Sequence, residues 1–269
     1  MRGIGAAITV PPYVRPGHYY SPVTSRSDRA VAVGWRGLAP AGIDLRETEQ
    51  VELARRLAPL MTELPTARWH DDNIYFGRAD AAVLHAMLRH HRPAQLMEIG
   101  SGYSTAVALD VAERFQPDLR IICVEPEPER LRSRLRPGDR VELIERPVQS
   151  VDWATFATLR DGDLLFIDST HVSKAGSDVV WLLLHVLPRL NPGVIVQIHD
   201  VHWPFEYPEE WLREGRDWNE VYLVRAFLTH NSAWEMLLFT SWLWTQRPEV
   251  LPAELRNLDN GSLWLRKTG

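Results

Sequence analysis

The chain has 269 residues, 45% of them apolar, and its 30 Lys and Arg against 35 Asp and Glu give a formal charge of −5. That length suits one large α/β domain with an N-terminal extension and can bury a sizeable core. Arginines scattered among acids exclude a polyanion-binding surface, hence a nucleic-acid partner, and a single cysteine, Cys123, excludes internal disulfides and a cysteine metal cluster.

Residues 1–42 lack sustained periodicity and are rich in Pro, Gly and Ser, so an irregular N-terminal arm is expected. Its opening apolar run meets Pro11 and Pro12 before a signal-peptide core could form, and no apolar stretch reaches membrane-spanning length. The expectation is a soluble cytoplasmic protein with no membrane partner. Pro16-Gly-His-Tyr-Tyr-Ser-Pro22 sets three rings between prolines and reads either as an arm packed on the body or as a lid, with Tyr20 on the rim of a substrate pocket. From residue 43 the pattern becomes regular, and 43–269 is expected to form one domain, helical over 43–92 and built on a sheet over 93–269. Val51, Leu53, Ala54, Leu57 and Leu60 share one face of a helix over 47–61; Ala81, Leu84, Met87 and Leu88 share one face of a helix over 80–89. A polar and aromatic loop, 69–77, separates them.

Gln95–Ile99 then reads as a short buried strand, with Gly100 and Gly102 opening a turn into a helix. Thr105 stands where the dinucleotide fingerprint wants Gly or Ala, which weakens an NAD reading. Glu98 at the strand's end would repel a pyrophosphate held at the turn but favour a cationic ligand. Glu125 ends the next predicted strand, 119–124, where nucleotide-binding α/β sheets place an acid on the ribose hydroxyls; the rival reading is an acidic first turn of the following helix. Together these residues favour S-adenosylmethionine, with its sulfonium and ammonium, over NAD, FAD or ATP.

Glu98-x-Gly100-x-Gly102 in this setting resembles motif I of the class I S-adenosylmethionine-dependent methyltransferases, and the Pro16–Pro22 run resembles the opening of one bacterial small-molecule group among them. The resemblance covers about residues 16 to 266. It implies a Rossmann-like α/β fold, with a mostly parallel seven-stranded sheet, helices on both faces and an antiparallel closing hairpin. It also implies a cofactor site made of Glu98, Gly100, Ser101, Gly102, Ser104, Glu125, Pro126, Gln149 and Asp168, with Asn73, Tyr75, Phe76 and Asp80 close by.

Beyond Glu125 the alternation continues as a βαβ rhythm, the pattern of a parallel sheet. It predicts a helix over 127–135, a strand over 141–144, a helix near 151–159, a strand over 163–167, a helix over about 173–189 and a strand over 194–198. An aromatic, proline-bearing loop from Trp203 to Trp218 is long for a connection and so a candidate functional segment. A helix near 219–228 and strands over 234–240 and 262–265 close the chain.

Ligands of such sheets bind at the carboxyl ends of the strands, which brings together Asp168, His171, His199, Asp200 and His202. Two Asp and three His at one rim point to a divalent ion, Mg²⁺, Mn²⁺ or Fe²⁺, on Asp168, His199, Asp200 and His202, or to a metal-free acid/base site. Some class I O-methyltransferases hold Mg²⁺ with an Asp after strand four and an acidic pair after strand five; Asp168 and Asp200 match, and His199 departs. Methyl transfer to a hydroxyl needs alignment and removal of a proton. His199 is the expected base, with Asp168 and His171 completing the catalytic set and His202 in reserve. Trp203, Phe205, Tyr207 and Tyr222 are expected to wall the acceptor, with Glu220 facing them. The function expected is methylation of a small molecule, foremost on oxygen. The rivals are a metal-independent N- or C-methyltransferase, a cofactor-binding protein that does not methylate, and another reaction on the same scaffold. The tryptophan-rich C-terminal third offers a face for a homodimer.

Overall fold

The computed structural model describes residues 11–269, and the first ten residues of the arm lie outside them. The arm is not irregular throughout. Helix α1 (Arg26–Trp35) starts at Ser25, whose hydroxyl accepts the Asp28 N–H while the Asp28 carboxylate accepts the Ser25 N–H. This reciprocal cap fixes where the helix starts. Helices α2 (Glu47–Met61) and α3 (Arg78–His91) follow.

The sheet helices alternate with its strands: β1 (Gln95–Ile99), α4 (Tyr103–Phe115), β2 (Arg120–Val124), α5 (Glu129–Arg132), β3 (Val141–Ile144), α6 (Trp153–Phe156), β4 (Leu164–Ile167), α7 (Asp178–Trp181) and β5 (Ile195–His199). Beyond β5 come α8 (Glu209–Glu214), α9 (Glu220–Leu228), β6 (Trp234–Phe239), α10 (Thr240–Gln246) and β7 (Ser262–Lys267). Two of the predicted helices are shorter than expected, α5 and α6 spanning one turn each. The expected helix over 173–189 begins only at Asp178, because Ser177 caps it, and continues from α7 as a π-turn over Leu182–Val186.

The strands form one sheet in the order β3-β2-β1-β4-β5-β7-β6. The first five are mutually parallel; β7 runs antiparallel to β5 and to β6, as the closing hairpin requires. The topology is the Rossmann-like class I methyltransferase fold. Strands β1, β4 and β5 are buried throughout, which explains why they read as continuous apolar runs instead of alternating ones. Helices α2, α3 and α4 pack in succession, and α2 also covers β6, where the fully buried Gln50 accepts the Phe239 N–H at 2.6 Å. Of the C-terminal tryptophans, Trp234, Trp242, Trp244 and Trp264 are core residues, whereas Trp181, Trp203, Trp211 and Trp218 are half-buried.

Chain order reverses between β1 and β4, whose neighbours lie on opposite sides of β1. At such a switch point the two following loops diverge and leave a crevice at the carboxyl ends. No helix among the described residues is long and apolar enough to cross a membrane.

Candidate active site

That crevice is a cleft of about 440 Å³ lined by Gly100, Glu125, Pro126, Gln149, Asp168 and Lys174 together with their neighbours. Gly100 sets its depth. At φ +84° a Cβ here would lie 2.2 Å from the Asp168 carbonyl oxygen, so only glycine lets the β1 turn meet the end of β4 this closely. Glu125 is aimed by two backbone donors, the Ser101 N–H on Oε2 at 3.1 Å and the Glu127 N–H on Oε1 at 2.9 Å. A carboxylate held this way keeps lone pairs for a vicinal diol such as ribose. Gln149 Nε2 donates to the Gly176 carbonyl at 2.9 Å and ties the end of β3 to the loop after β4.

Glu98, Ser101, Gly102 and Ser104 are placed differently from expectation, since none of them lines the cleft. Glu98 is fully buried below the turn, where Oε2 accepts from Thr105 Oγ1 at 2.5 Å and from Cys123 Sγ at 3.4 Å. Thr105 Oγ1 in turn accepts the Gly102 N–H at 3.1 Å. Glu98 therefore fastens strand, turn and helix together, which also accounts for Thr105 where a dinucleotide site wants a smaller residue. Burial pushes its carboxyl up to about 7 in spite of those bonds. Its Oε1 and the Ser101 hydroxyl are buried without a partner among the described residues. An aimed acid, a glycine that admits close approach and two unpartnered oxygens at one turn fit S-adenosylmethionine.

Asp168 belongs both to the cleft and to a buried cluster behind it. His171 Nε2 lies 3.4 Å from Asp168 Oδ1 and 3.5 Å from Asp200 Oδ2, and His171 Nδ1 is hydrogen-bonded to Glu220 Oε2 at 2.9 Å. His199 Nδ1 lies 3.6 Å from Asp168 Oδ1 and 3.4 Å from Asp200 Oδ1, while its Nε2 lies 3.7 Å from Asp80 Oδ2. The frame is fixed from outside: the His171 carbonyl accepts the Asn219 and Glu220 N–H groups at the start of α9, and Asp80 Oδ1 accepts from Ser262 Oγ at 2.8 Å. His171 and Asp200 both take left-handed backbone angles, φ +59° and +56°. Such strain persists only where surroundings enforce it.

Burial opposes charge on both imidazoles, but the facing carboxylates outweigh it: His171 is pushed up to about 10 and His199 well above its ordinary value. Burial would likewise raise Asp168, yet the two histidines hold it well below the usual carboxylate range; Asp200 is raised, by burial above all. The facing carboxylates thus favour the charged form of both imidazoles. No group of three or more His, Cys, Asp and Glu among the described residues is arranged to hold a metal ion, so the expected metal on Asp168, His199, Asp200 and His202 is not supported. The imidazoles face carboxylates as ion-pair partners. His202 is turned out of the cluster, its ring edge-on to Trp211 and packed over Gly261; burial pushes it down to about 3, so it is neutral.

The expected acceptor wall disperses. Phe205 and Tyr207 are core residues, Tyr20 is exposed with its ring tilted against those of His18 and Tyr19, and Tyr222 donates to Glu206 at 2.5 Å. Trp203 lines a second cleft of about 430 Å³ that it shares with Arg36, His202 and Asn260. The arm is moored by the Thr24 N–H to Asp217 Oδ1 at 3.1 Å, close to α9. Asn73 makes a local turn, accepting the Tyr75 and Phe76 N–H groups, and Phe76 packs on the His199 ring. Glu220 was legible as a nearby acid but not as the partner that orients His171; its offset of 49 residues carries no signal.

A protein of Archaeoglobus fulgidus that is described as uncharacterized is 32% identical over 162 residues, 54% of this chain and 73% of that one. The family model described as a methyltransferase domain matches residues 97–201, from within β1 to just past β5. Residues 97–201 of the chain thus form a methyltransferase domain. Solved methyltransferases resemble it at lower identity. The S-adenosylhomocysteine-bound Podospora anserina methyltransferase PaMTH1 is 20% identical, with 90% of this chain and 96% of that one covered and a TM-score of 0.46. The plantazolicin methyltransferase BpumL, bound to S-adenosylhomocysteine and a pentazolic analogue, is 13% identical, covering 84% and 100%, with a TM-score of 0.48. The methyltransferase-domain match contains Gly100, Glu125, Asp168, His171, His199 and Asp200.

Proposed function

We propose that this methyltransferase uses S-adenosylmethionine to methylate a small molecule, on a hydroxyl oxygen. The observation that carries the reading is Asp168, which is at once a wall of the nucleotide-sized cleft and a partner of both buried histidines. Bound in the cleft, S-adenosylmethionine supplies a sulfonium methyl group that an acceptor's lone pair displaces in line. Glu125 holds the ribose hydroxyls, and Gly100 leaves room for the reacting end beside Asp168.

The proton of the acceptor goes to Nε2 of the deprotonated form of His171, which gains weight as pH rises toward about 10. Glu220 fixes the other ring nitrogen, so Nε2 faces Asp168 and Asp200 at the rim of the cleft, the carboxylate–imidazole arrangement of a positioned base. This moves the role from His199 to His171, because both His199 nitrogens lie among three carboxylates and neither is hydrogen-bonded. His199 instead balances their charge. A divalent ion is given no step, since the residues are not arranged to hold one.

The test is calorimetry with S-adenosylmethionine and NAD, followed by transfer of labelled methyl to a panel of phenols, catechols and sugar alcohols by wild type and His171→Gln. Saturable binding of S-adenosylmethionine alone, with transfer lost in a variant that still binds, supports the reading. NAD binding in its place, or full transfer by the variant, refutes it.

A further inference from the structure

Above the glycine turn lies an arrangement that the reaction so far leaves without a task. Arg130, in α5, reaches back across Gly102: a Cβ on that glycine would come within 2.8 Å of Arg130 Cδ and 3.2 Å of Cγ. Tyr75 meets it, the guanidinium carbon standing 3.9 Å over the ring centroid. Tyr75 stacks in turn on Tyr103, the first residue of α4, at 6.2 Å and 18°.

Three observations set this guanidinium apart. It has neither an ion pair nor a side-chain hydrogen bond among the described residues, whereas Arg132 in the same helix is paired with Glu145. Next, it is parked over the N-terminus of a thirteen-residue helix whose cap, Gly102, has no side chain to occupy the first free N–H groups. A helix N-terminus is the positive end of its dipole, so a cation there has the wrong sign unless an anion lies between them. Last, Ser101 Oγ, at the same turn, is buried without a partner among the described residues. Guanidinium, free helix N–H groups and an unpartnered hydroxyl together form a receptor for a planar carboxylate.

We propose that Arg130, backed by Tyr75 and Tyr103, binds the α-carboxylate of the cofactor's amino-acid tail and closes over it as a strap. The inference rests on the S-adenosylmethionine reading above and extends it. Ser101 donates its N–H to Glu125, so the ribose acid and Gly102 are near neighbours, within the span of that tail. The strap selects cofactors with an anionic tail and holds the reacting end against Asp168.

The test compares wild type, Arg130→Met and Arg130→Lys in calorimetric titrations with S-adenosylhomocysteine and with 5′-methylthioadenosine, which shares the nucleoside and sulfur but lacks the carboxylate. Arg130→Met should weaken S-adenosylhomocysteine roughly 10- to 100-fold, the scale of a lost charge-assisted bond, and leave methylthioadenosine unchanged; Lys should recover part of the loss. Unchanged methylthioadenosine binding also shows that the variant is folded. Equal weakening of both ligands, or none of either, overturns the strap while leaving the cofactor reading intact. Wild type that binds neither ligand overturns both.

Discussion

Replacing Glu98 by Gln tests whether the buried acid under the glycine turn is a fastener, as its contacts indicate. Burial moves its carboxyl from 4.5 to about 7 in the folded chain. An acid whose folded value is raised adds stability that is complete below its unfolded value and is lost as pH rises through the folded one, because the folded state keeps a proton that the unfolded state has released. Between pH 5 and pH 8 this linkage removes about 2.5 kcal/mol from wild type, taking 1.36 kcal/mol for each tenfold change in proton affinity. Gln cannot ionise. Its carbonyl can still accept from Thr105 and Cys123, but its amide protons inherit the unpartnered Oε1 position, at a cost of about 1–3 kcal/mol that does not vary with pH. The expected result is therefore not a stabler protein at every pH but a difference in slope. In urea melts at pH 5, 6, 7 and 8, wild type should lose about 2.5 kcal/mol relative to Glu98→Gln across the series. Parallel curves would refute the argument and would mean that Glu98 stays ionised in the folded state.

Turnover should climb with pH from neutrality toward about 10, the value to which the facing carboxylates push His171, because only its deprotonated form takes the acceptor's proton; a rate independent of pH over 7–9 counts against His171 as the base. Gly100→Ala would force a Cβ to within 2.2 Å of the Asp168 carbonyl at a left-handed φ, so a loss of roughly 3 kcal/mol and of S-adenosylmethionine binding is expected from chemical melts and calorimetry. His85 and His91 have the opposite linkage to Glu98. Burial pushes each down to about 4, so the stability they permit is full above the ordinary 6.5 and is lost as pH falls toward 4, by up to about 1.4 kcal/mol per pH unit for each. His85→Gln should lessen the acid sensitivity in melts at pH 7 and pH 5, and an unchanged sensitivity would show that His85 titrates freely.

Much of the fold was legible because its signals are local. Helix α2 falls on the residues whose 3.6-residue spacing marked it, and β3 on Val141–Ile144, since a buried parallel strand has to be a short apolar run bounded by turns. The same locality explains the misses. Helix α1 starts at a reciprocal cap within the Pro-, Gly- and Ser-rich arm, and the helices after β2 and β3 shrink to single turns because tertiary packing, not propensity, decides how far a short helix extends.

The site was legible in a different measure on its two sides. Gly100, Glu125 and Asp168 could be placed because the β1/β4 switch point follows from strand order, and strand order from the βαβ rhythm. What the histidines do could not, since it depends on which atoms face which. His171 is separated from Glu220 by 49 residues, and its ring is aimed by a left-handed backbone that nothing in a non-glycine residue announces. Asp200 is in the same position at the end of β5. Both strained residues border the one side chain, Asp168, that also lines the cleft. On the proposed reading, the strain falls where a donor site and a proton acceptor are brought within reach of one reacting atom, and the well-packed α9 and β7 on either side are what hold it in place.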